Sequence, residues 1–240
     1  MTSVAVIDYG MGNLRSVVKA IEHVSLPKWW HSLHRTRLRL VCEALKQVAS
    51  GARIELTSDH NVIRRADRVV FPGQGAITAC MTALDSCHLR DAVLQAVQAK
   101  PFLGVCLGLQ ALYDFSEEGG GVPGLGVLPG RVPRFPPEKM RDARTGLALK
   151  VPHMGWNQVR QTKPHPLWKG IPQDARFYFV HSYYVSADEP AHIAGVTEYG
   201  IRFTSAAAHA NIFAVQFHPE KSATAGLQLL ANFMDWDGGV

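Results

Sequence analysis

Apolar residues in this chain of 240 fall into short blocks, and the spacing within a block changes along the sequence. Val4-Ala5-Val6-Ile7 is an unbroken apolar run of strand length. It gives way to Asp8-Tyr9-Gly10-Met11-Gly12-Asn13, and then to a stretch from Leu14 to Val24 with apolar positions three and four apart. That order predicts a strand, a tight glycine turn and an amphipathic helix, with Asp8, Tyr9 and Asn13 near the top of a sheet. Arg53 to Thr57 alternates as a strand does, and Arg68-Val69-Val70-Phe71 reads as a short buried strand ending in Pro72-Gly73-Gln74-Gly75-Ala76. A helix predicted from about Leu89 to Ala99 leads into another buried strand, Phe102 to Val105. Strands alternating with helices as far as Phe115 argue a parallel sheet. Ligands of such sheets bind at the carboxyl ends of the strands, where Gly75 and Cys106 both fall.

Beyond that point the pattern changes. From Ser116 to Pro137 glycine and proline are frequent and periodicity is weak, so the stretch reads as a loop. After it come short strands without helices between them: Leu147 to Val151, Phe177 to Val185, His192 to Thr197 and Asn211 to Phe217. They predict an antiparallel extension of the same sheet, and a last helix, about Ala223 to Met234, closes the chain. The expected fold class is therefore α/β, a single domain over residues 1–240 with an open, mixed, mostly parallel sheet flanked by helices.

Composition narrows the partners. With 47% apolar and 19% charged residues the chain can bury a full core, and no apolar run approaches membrane-spanning length. The N-terminus lacks a basic leader region and reads as a first strand, not a signal peptide. The four cysteines, Cys42, Cys80, Cys87 and Cys106, have neither metal-site nor disulfide-scaffold spacing, so reduced thiols in a cytoplasmic protein are expected. The eleven histidines are scattered, and neither a metal nor a cofactor is expected. Of the net charge of +5, +4 falls between Ser25 and Val48, so the excess belongs to one segment and the body does not read as a binder of nucleic acid or membrane. That segment resembles its predecessor: Leu38 to Val48 matches Leu14 to Val24 at five of eleven positions. One recurrence is too few for a repeat architecture, and about 25–48 reads as a basic insertion, with Pro27, Trp29 and Trp30 at the join.

The chemistry gathers at Gly104-Val105-Cys106-Leu107-Gly108. A strand, an abrupt turn at Cys106 and a helix opening at Leu107 give the thiol form of the nucleophile elbow, whose glycines admit backbone too close for a Cβ. The helix N-terminus would favour the thiolate, and the Leu107 N–H would meet an oxyanion. A buried cysteine in an apolar βα unit fits this stretch equally well. A catalytic thiol also needs a base and an orienter. His218 ends the apolar run Ile212 to Phe217, and Glu220 stands two residues on, where extended chain turns side chains to the same side. Glu220 would hold the imidazole's tautomer.

Together G-V-C-L-G-x-Q and F-H-P-E resemble the class I, or triad, glutamine amidotransferases. Asp8 to Asn13, Phe71 to Gly75, Pro152-His153-Met154-Gly155-Trp156-Asn157 and Phe179-Val180-His181-Ser182-Tyr183-Tyr184 bring the likeness nearest to the glutaminase subunits of imidazole glycerol phosphate synthases. It covers nearly the whole chain except about 25–48. It implies a flavodoxin-like fold and hydrolysis of glutamine through a Cys106–His218–Glu220 triad. It further implies an oxyanion site from Leu107 and the Gly73–Gly75 turn, and a glutamine-binding wall of Gln110, His181, Ser182 and Tyr183. The partner implied is a cyclase subunit forming a heterodimer, docked at Asn13, His153, Met154, Trp156 and Asn157 and receiving the ammonia. Left to physics alone, His153 and His181 read as structural histidines. Other readings stay open on the sequence: a glutaminase serving a different acceptor, another cysteine hydrolase, or an interaction module using the basic segment.

Overall fold

Strand β1 (Thr2–Ile7) is apolar on both faces: Val4 and Val6 join one core cluster, Ala5 and Ile7 the other. A strand covered by helices from two sides reads this way. Helix α1 (Leu14–Val24) buries Leu14, Val17, Ala20 and Ile21, the stripe its spacing predicted. The computed structural model describes residues 2–10, 14–26, 51–142 and 144–239. Asn13 and nearly all of the basic segment of 25–48 lie outside the described residues.

The first half then runs β2 (Ala52–Thr57), α2 (His60–Arg65), β3 (Arg68–Gly73), α3 (Ile77–Ser86), α4 (Arg90–Ala99), β4 (Phe102–Cys106) and the single turn α5 (Leu107–Gln110). The second half holds β5 (Tyr113–Ser116), β6 (Val122–Pro123), β7 (Leu128–Val132), β8 (His153–Gln161), β9 (Ala175–His181), β10 (Ser186–Ala187), β11 (Ile193–Tyr199), β12 (Ile201–His209), β13 (Ile212–Val215) and α6 (Ala223–Asp235). Among the described residues nine strands form one sheet in the order β2-β1-β3-β4-β13-β12-β11-β8-β9. Pairing is parallel from β2 through β13 and antiparallel from β13 to β9, so the mixed sheet with an antiparallel extension is what the chain forms. α1 and α6 cover one face over Phe177, Phe213 and Phe217, while α2, α3 and α4 cover the other over Phe71 and Phe102.

Several local expectations fail, each for a physical reason. Ser116 to Pro137, read as a loop, supplies β6 and β7 to a second sheet ordered β10-β7-β5-β6. Its glycines serve close packing: a Cβ on Gly124 would lie 2.0 Å from the Tyr113 carbonyl oxygen, and one on Gly130 would lie 2.5 Å from that of Ser186. Leu147 to Val151 is not a strand. Leu147 is 69% exposed, and one bridge, Arg141 to Ala148, is the pairing there. The strand lies just beyond, at β8. β8 forms because it is sandwiched between β9 and β11. β12 escaped notice because Ala206-Ala207-Ala208 at its buried centre carry no periodic signal.

The register decides where the site lies. Gly73 stands opposite Cys106 at the ends of β3 and β4, and Val215 of β13 stands opposite Val105. The carboxyl ends of three neighbouring strands therefore meet at one edge.

Candidate active site

Cys106 sits on the strand-to-helix turn at φ 55° and ψ −105°, a backbone region that L-residues rarely enter. Strain of this kind costs about 1–3 kcal/mol and persists only where the surroundings enforce it. Here they do. A Cβ on Gly108 would lie 1.9 Å from the Phe71 carbonyl oxygen, and one on Gly104 would lie 2.9 Å from that of Gly108. Glycine at both places lets α5 press against β3 and β4, which throws the thiol outward at the sheet edge. The helix is a single turn, however, and a dipole builds up only over several aligned peptides. Its help to a thiolate is correspondingly small.

His218 follows β13 after Gln216 and Phe217. Its N–H donates to Tyr178 O at 2.9 Å, and the Ser222 hydroxyl donates to His218 O at 2.6 Å while accepting from Tyr178 N at 2.9 Å. These bonds clamp the histidine's backbone to β9. Its Nδ1 lies 2.9 Å from Glu220 Oε1, and both side chains are 2% exposed. A carboxylate only accepts, so the proton of this bond is on Nδ1. Nε2 is buried without a hydrogen bond of normal geometry. Burial opposes a charge on this ring, but the Cys106 sulfur and then the Glu220 carboxylate outweigh it and raise the imidazole well above the usual histidine range. The fold therefore favours the protonated ring, set beside the Cys106 sulfur.

A cavity of about 360 Å³ opens over the thiol. Gly75, Leu107, Gln110, His181, Ser182, Tyr183 and His218 line it with Cys106, so the structure brings these residues named from sequence to one place. Gly73 does not reach this wall. It lines a smaller cleft behind, beside Glu220, and its own Cβ would collide with the Tyr9 hydroxyl at 2.1 Å. Sequence reasoning passed over Gln74, Glu118, Pro152 and Val180 on the same wall. Glu118 supplies the wall's carboxylate, and its Oε2 accepts from Ile77 N at 2.8 Å. No pattern pointed to it, because its place depends on a loop folding back over the amino end of α3. Gln216 was also passed over, although it stands two residues before His218. The extended alternation expected to face His218 and Glu220 to one side is replaced by a 3-10 turn over Pro219–Lys221, which brings the two together.

The residues expected at a partner surface divide by strand alternation. Met154 and Trp156 point outward and are 61% and 44% exposed. His153 points inward and is 3% exposed, which corrects its placement at a surface. It stacks on Tyr199 with ring centroids 3.9 Å apart, and its Nδ1 is 3.0 Å from His181 Nε2 on the directly paired residue of β9. Asn157 is half-buried, with its Nδ2 3.3 Å from His153 Nε2 and 2.9 Å from Glu198 O. Among the described residues no cluster of His, Cys, Asp or Glu could hold a metal ion, and no helix is long and apolar enough to cross a membrane.

Comparison with known proteins follows the same lines. The family model for glutamine amidotransferase class-I matches residues 5–236. The chain is 57% identical to imidazole glycerol phosphate synthase subunit HisH of Aromatoleum aromaticum, over 98% of this chain and 99% of that one. It is 55% identical to the subunit of the same name from Nitrosococcus oceani, over 99% of each chain. With that from Pseudomonas putida it shares 50% identity, again over 99% of each. Among solved structures, a glutamine amidotransferase superposes with a TM-score of 0.61 at 16% identity, covering 97% of each chain. The glutaminase domain of Trypanosoma brucei CTPS, with bound acivicin, gives 0.57 at 16% identity over 99% of this chain and 95% of that one. At such identities these two speak for the fold.

Proposed function

This chain belongs to the class-I glutamine amidotransferases, and on that premise we propose that it is the glutaminase subunit of an imidazole glycerol phosphate synthase. The reaction is hydrolysis of glutamine to glutamate and ammonia. The observation that carries the chemistry is Cys106, held at positive φ at the cavity floor beside a buried His218–Glu220 pair.

The steps follow from the protons in place. The Cys106 thiolate attacks the side-chain amide carbon of glutamine, and the carbonyl oxygen takes the charge. The N–H of Leu107 heads α5, where first-turn N–H groups have no intrahelical partner, and Gly75, at φ 100°, lines the same cavity. Donors of this kind stabilise the tetrahedral oxyanion. The His218 imidazolium gives its proton to the departing nitrogen, which leaves as ammonia with the C–N bond broken and a γ-glutamyl thioester formed. Neutral His218 then takes a proton from water as that water attacks the thioester. Glutamate departs, and thiolate and imidazolium are restored. Glu220 keeps the ring oriented throughout. Ser182, Tyr183 and Gln110 line the wall for the amino acid head group, and the Glu118 carboxylate suits its ammonium.

The relatives are named as subunits of a synthase. We extend this to the present chain as a heterodimer with a cyclase subunit that consumes the ammonia to make imidazole glycerol phosphate in histidine biosynthesis. Exposed Met154 and Trp156 support a docking face on β8. The setting is the cytoplasm, the reducing compartment in which a free catalytic thiol persists.

The test is glutamate release from glutamine by the purified chain, alone and then with the cyclase subunit and its nucleotide substrate. Strong stimulation by the partner is expected, and Cys106→Ala should abolish release in both conditions without altering the circular dichroism of the fold. Retained release in Cys106→Ala would remove the triad assignment. Release indifferent to the partner would remove the synthase assignment while keeping the glutaminase chemistry.

A further inference from the structure

Gln216 enters no step above, yet it touches the reacting atom. The side chain is wholly buried, its Nε2 is 3.6 Å from Cys106 Sγ, and its Oε1 is 2.9 Å from Gln110 Nε2. It stands two residues before His218, in the bend just past the end of β13, and both side chains reach the thiol.

The orientation of this amide is dictated by its neighbours. Gln110 Nε2 also lies 3.1 Å from Tyr183 O, which can only accept, so the hydrogen-bearing nitrogen of Gln110 faces both that carbonyl and Gln216. Gln216 must answer with its oxygen and present its NH₂ to the sulfur. Tyr183 O is itself fixed by a second donor, His181 Nδ1 at 2.7 Å. His181 Nε2 then carries no proton and accepts from His153 Nδ1, and His153 Nε2 accepts from Asn157 Nδ2. Burial holds both rings uncharged, pushing His153 down to about 4 and His181, with its neighbour His153 adding to the effect, to about 3. The tautomers are therefore constant across neutral pH. A run of neutral groups from β8 through β9 locks Tyr183 O, and through Gln110 it locks Gln216.

We infer that Gln216 is a positioning residue for the nucleophile: its amide, oriented by Gln110, donates a hydrogen bond to the Cys106 sulfur and favours the thiolate at rest. The inference rests on the reading of Cys106 as the nucleophile. A hydrogen bond to an anion is stronger than one to its neutral acid, so a donor fixed at the sulfur biases the equilibrium toward the charged form. With α5 only one turn long, the bond supplies what the short helix does not. The titratable groups around the sulfur are His218 with Glu220 behind it, Tyr9 beyond β1, His181 beside His218 and Glu118 across the cavity. His218 sets the main field, and Gln216 is the neutral donor added to it.

The test is the pH profile of Cys106 alkylation by iodoacetamide, read on the Cys106 peptide by mass spectrometry so that Cys42, Cys80 and Cys87 do not interfere. Gln216→Met keeps the bulk and removes the donor. It should move the profile upward by about one pH unit, leaving roughly tenfold less reactive thiol at a fixed pH on the rising limb. Gln216→Glu puts an anion where the donor was and should move it further. The plateau rate at high pH reports access to the sulfur and the midpoint reports the hydrogen bond, so a merely structural role would alter the plateau alone. Gln110→Leu provides an independent arm: it frees the Gln216 amide to turn and should produce a smaller shift in the same direction. An unshifted midpoint in whichever of these variants folds overturns the inference. That outcome is separate from retained glutaminase activity in Cys106→Ala, which would overturn the nucleophile itself.

Discussion

Glu220 acts at the scale of one residue, and pH is the variable that exposes it. His218 is raised, so the protonated ring is the form the fold favours. The stability gained is fully present below the ordinary histidine value of about 6.5 and is lost as pH climbs through the raised value. Burial opposes that charge, the Cys106 sulfur supports it most and Glu220 next. Glu220→Gln removes one of the two supports, so His218 should lose its proton at a lower pH. The expected result is an alkaline limb of kcat/KM displaced downward and kcat reduced by about 10²-fold or more, the lower end of what a positioned acid–base group supplies. A pH–rate profile that keeps its alkaline limb in Glu220→Gln would mean that the sulfur alone holds the proton. At this scale the sequence was most legible where residues are close along the chain. Gly104, Cys106 and Gly108 declare a turn by spacing, and His218 and Glu220 declare a pair by standing two apart, although a 3-10 turn over Pro219–Lys221 joins them where extended chain was expected. Gln216 stands two residues before His218, but its chemistry depends on Gln110, 106 positions away, and on the Tyr183 carbonyl just past β9. Nothing local to Gln216 marks it.

Elements hold the site through close approaches that glycine permits. α6 begins five residues after the triad histidine and packs its Gly226 against the turn that carries His218 and Glu220. A Cβ there would lie 2.0 Å from the Pro219 carbonyl oxygen and 2.7 Å from Ser222 Cβ. Neither atom is the far end of a flexible side chain, so the turn itself must give way. Ser222 bonds both His218 and Tyr178, and its displacement would move the imidazole relative to the sulfur. Gly226→Ala should therefore cost stability, about 1–3 kcal/mol as overpacking usually does, and should also depress kcat at temperatures where the variant is fully folded. Urea unfolding with parallel glutamate-release assays checks both; full activity in a destabilised variant would show that the turn relaxes without carrying His218 with it. The helical half of this architecture was readable because α1 and α4 present clear apolar stripes. The strands from β5 to β12 were less so. Their glycines, prolines and alanines serve backbone contact, and such residues look like loop or carry no period until the neighbouring strand is known.

The whole molecule poses the question of how an exposed strand face and a buried thiol share one structure. β8 divides its residues between the two. Met154 and Trp156 face outward at 61% and 44% exposure, whereas His153 and Asn157 begin the run of hydrogen bonds that reaches Gln110 and Gln216. Large apolar side chains exposed together on a strand are costly in water and favourable under a partner, and aromatic and methionine side chains are the types enriched in interface cores. Placing two carboxylates there instead, as Met154→Glu with Trp156→Glu, leaves the inward-facing residues untouched and makes burial against a partner unfavourable. The double variant should retain its melting temperature within a few degrees, since both side chains are already largely in water. Its affinity for the cyclase subunit should fall by at least about 10²-fold, as the loss of two anchoring interface side chains of this kind would bring, and the stimulation of glutamate release by the partner should be lost with it. Titration calorimetry against the cyclase, followed by the stimulated assay at saturating partner, separates the two effects. Unchanged affinity would move the docking face elsewhere on the molecule. Lost stimulation at full occupancy would show that β8 also transmits the partner's presence toward Cys106.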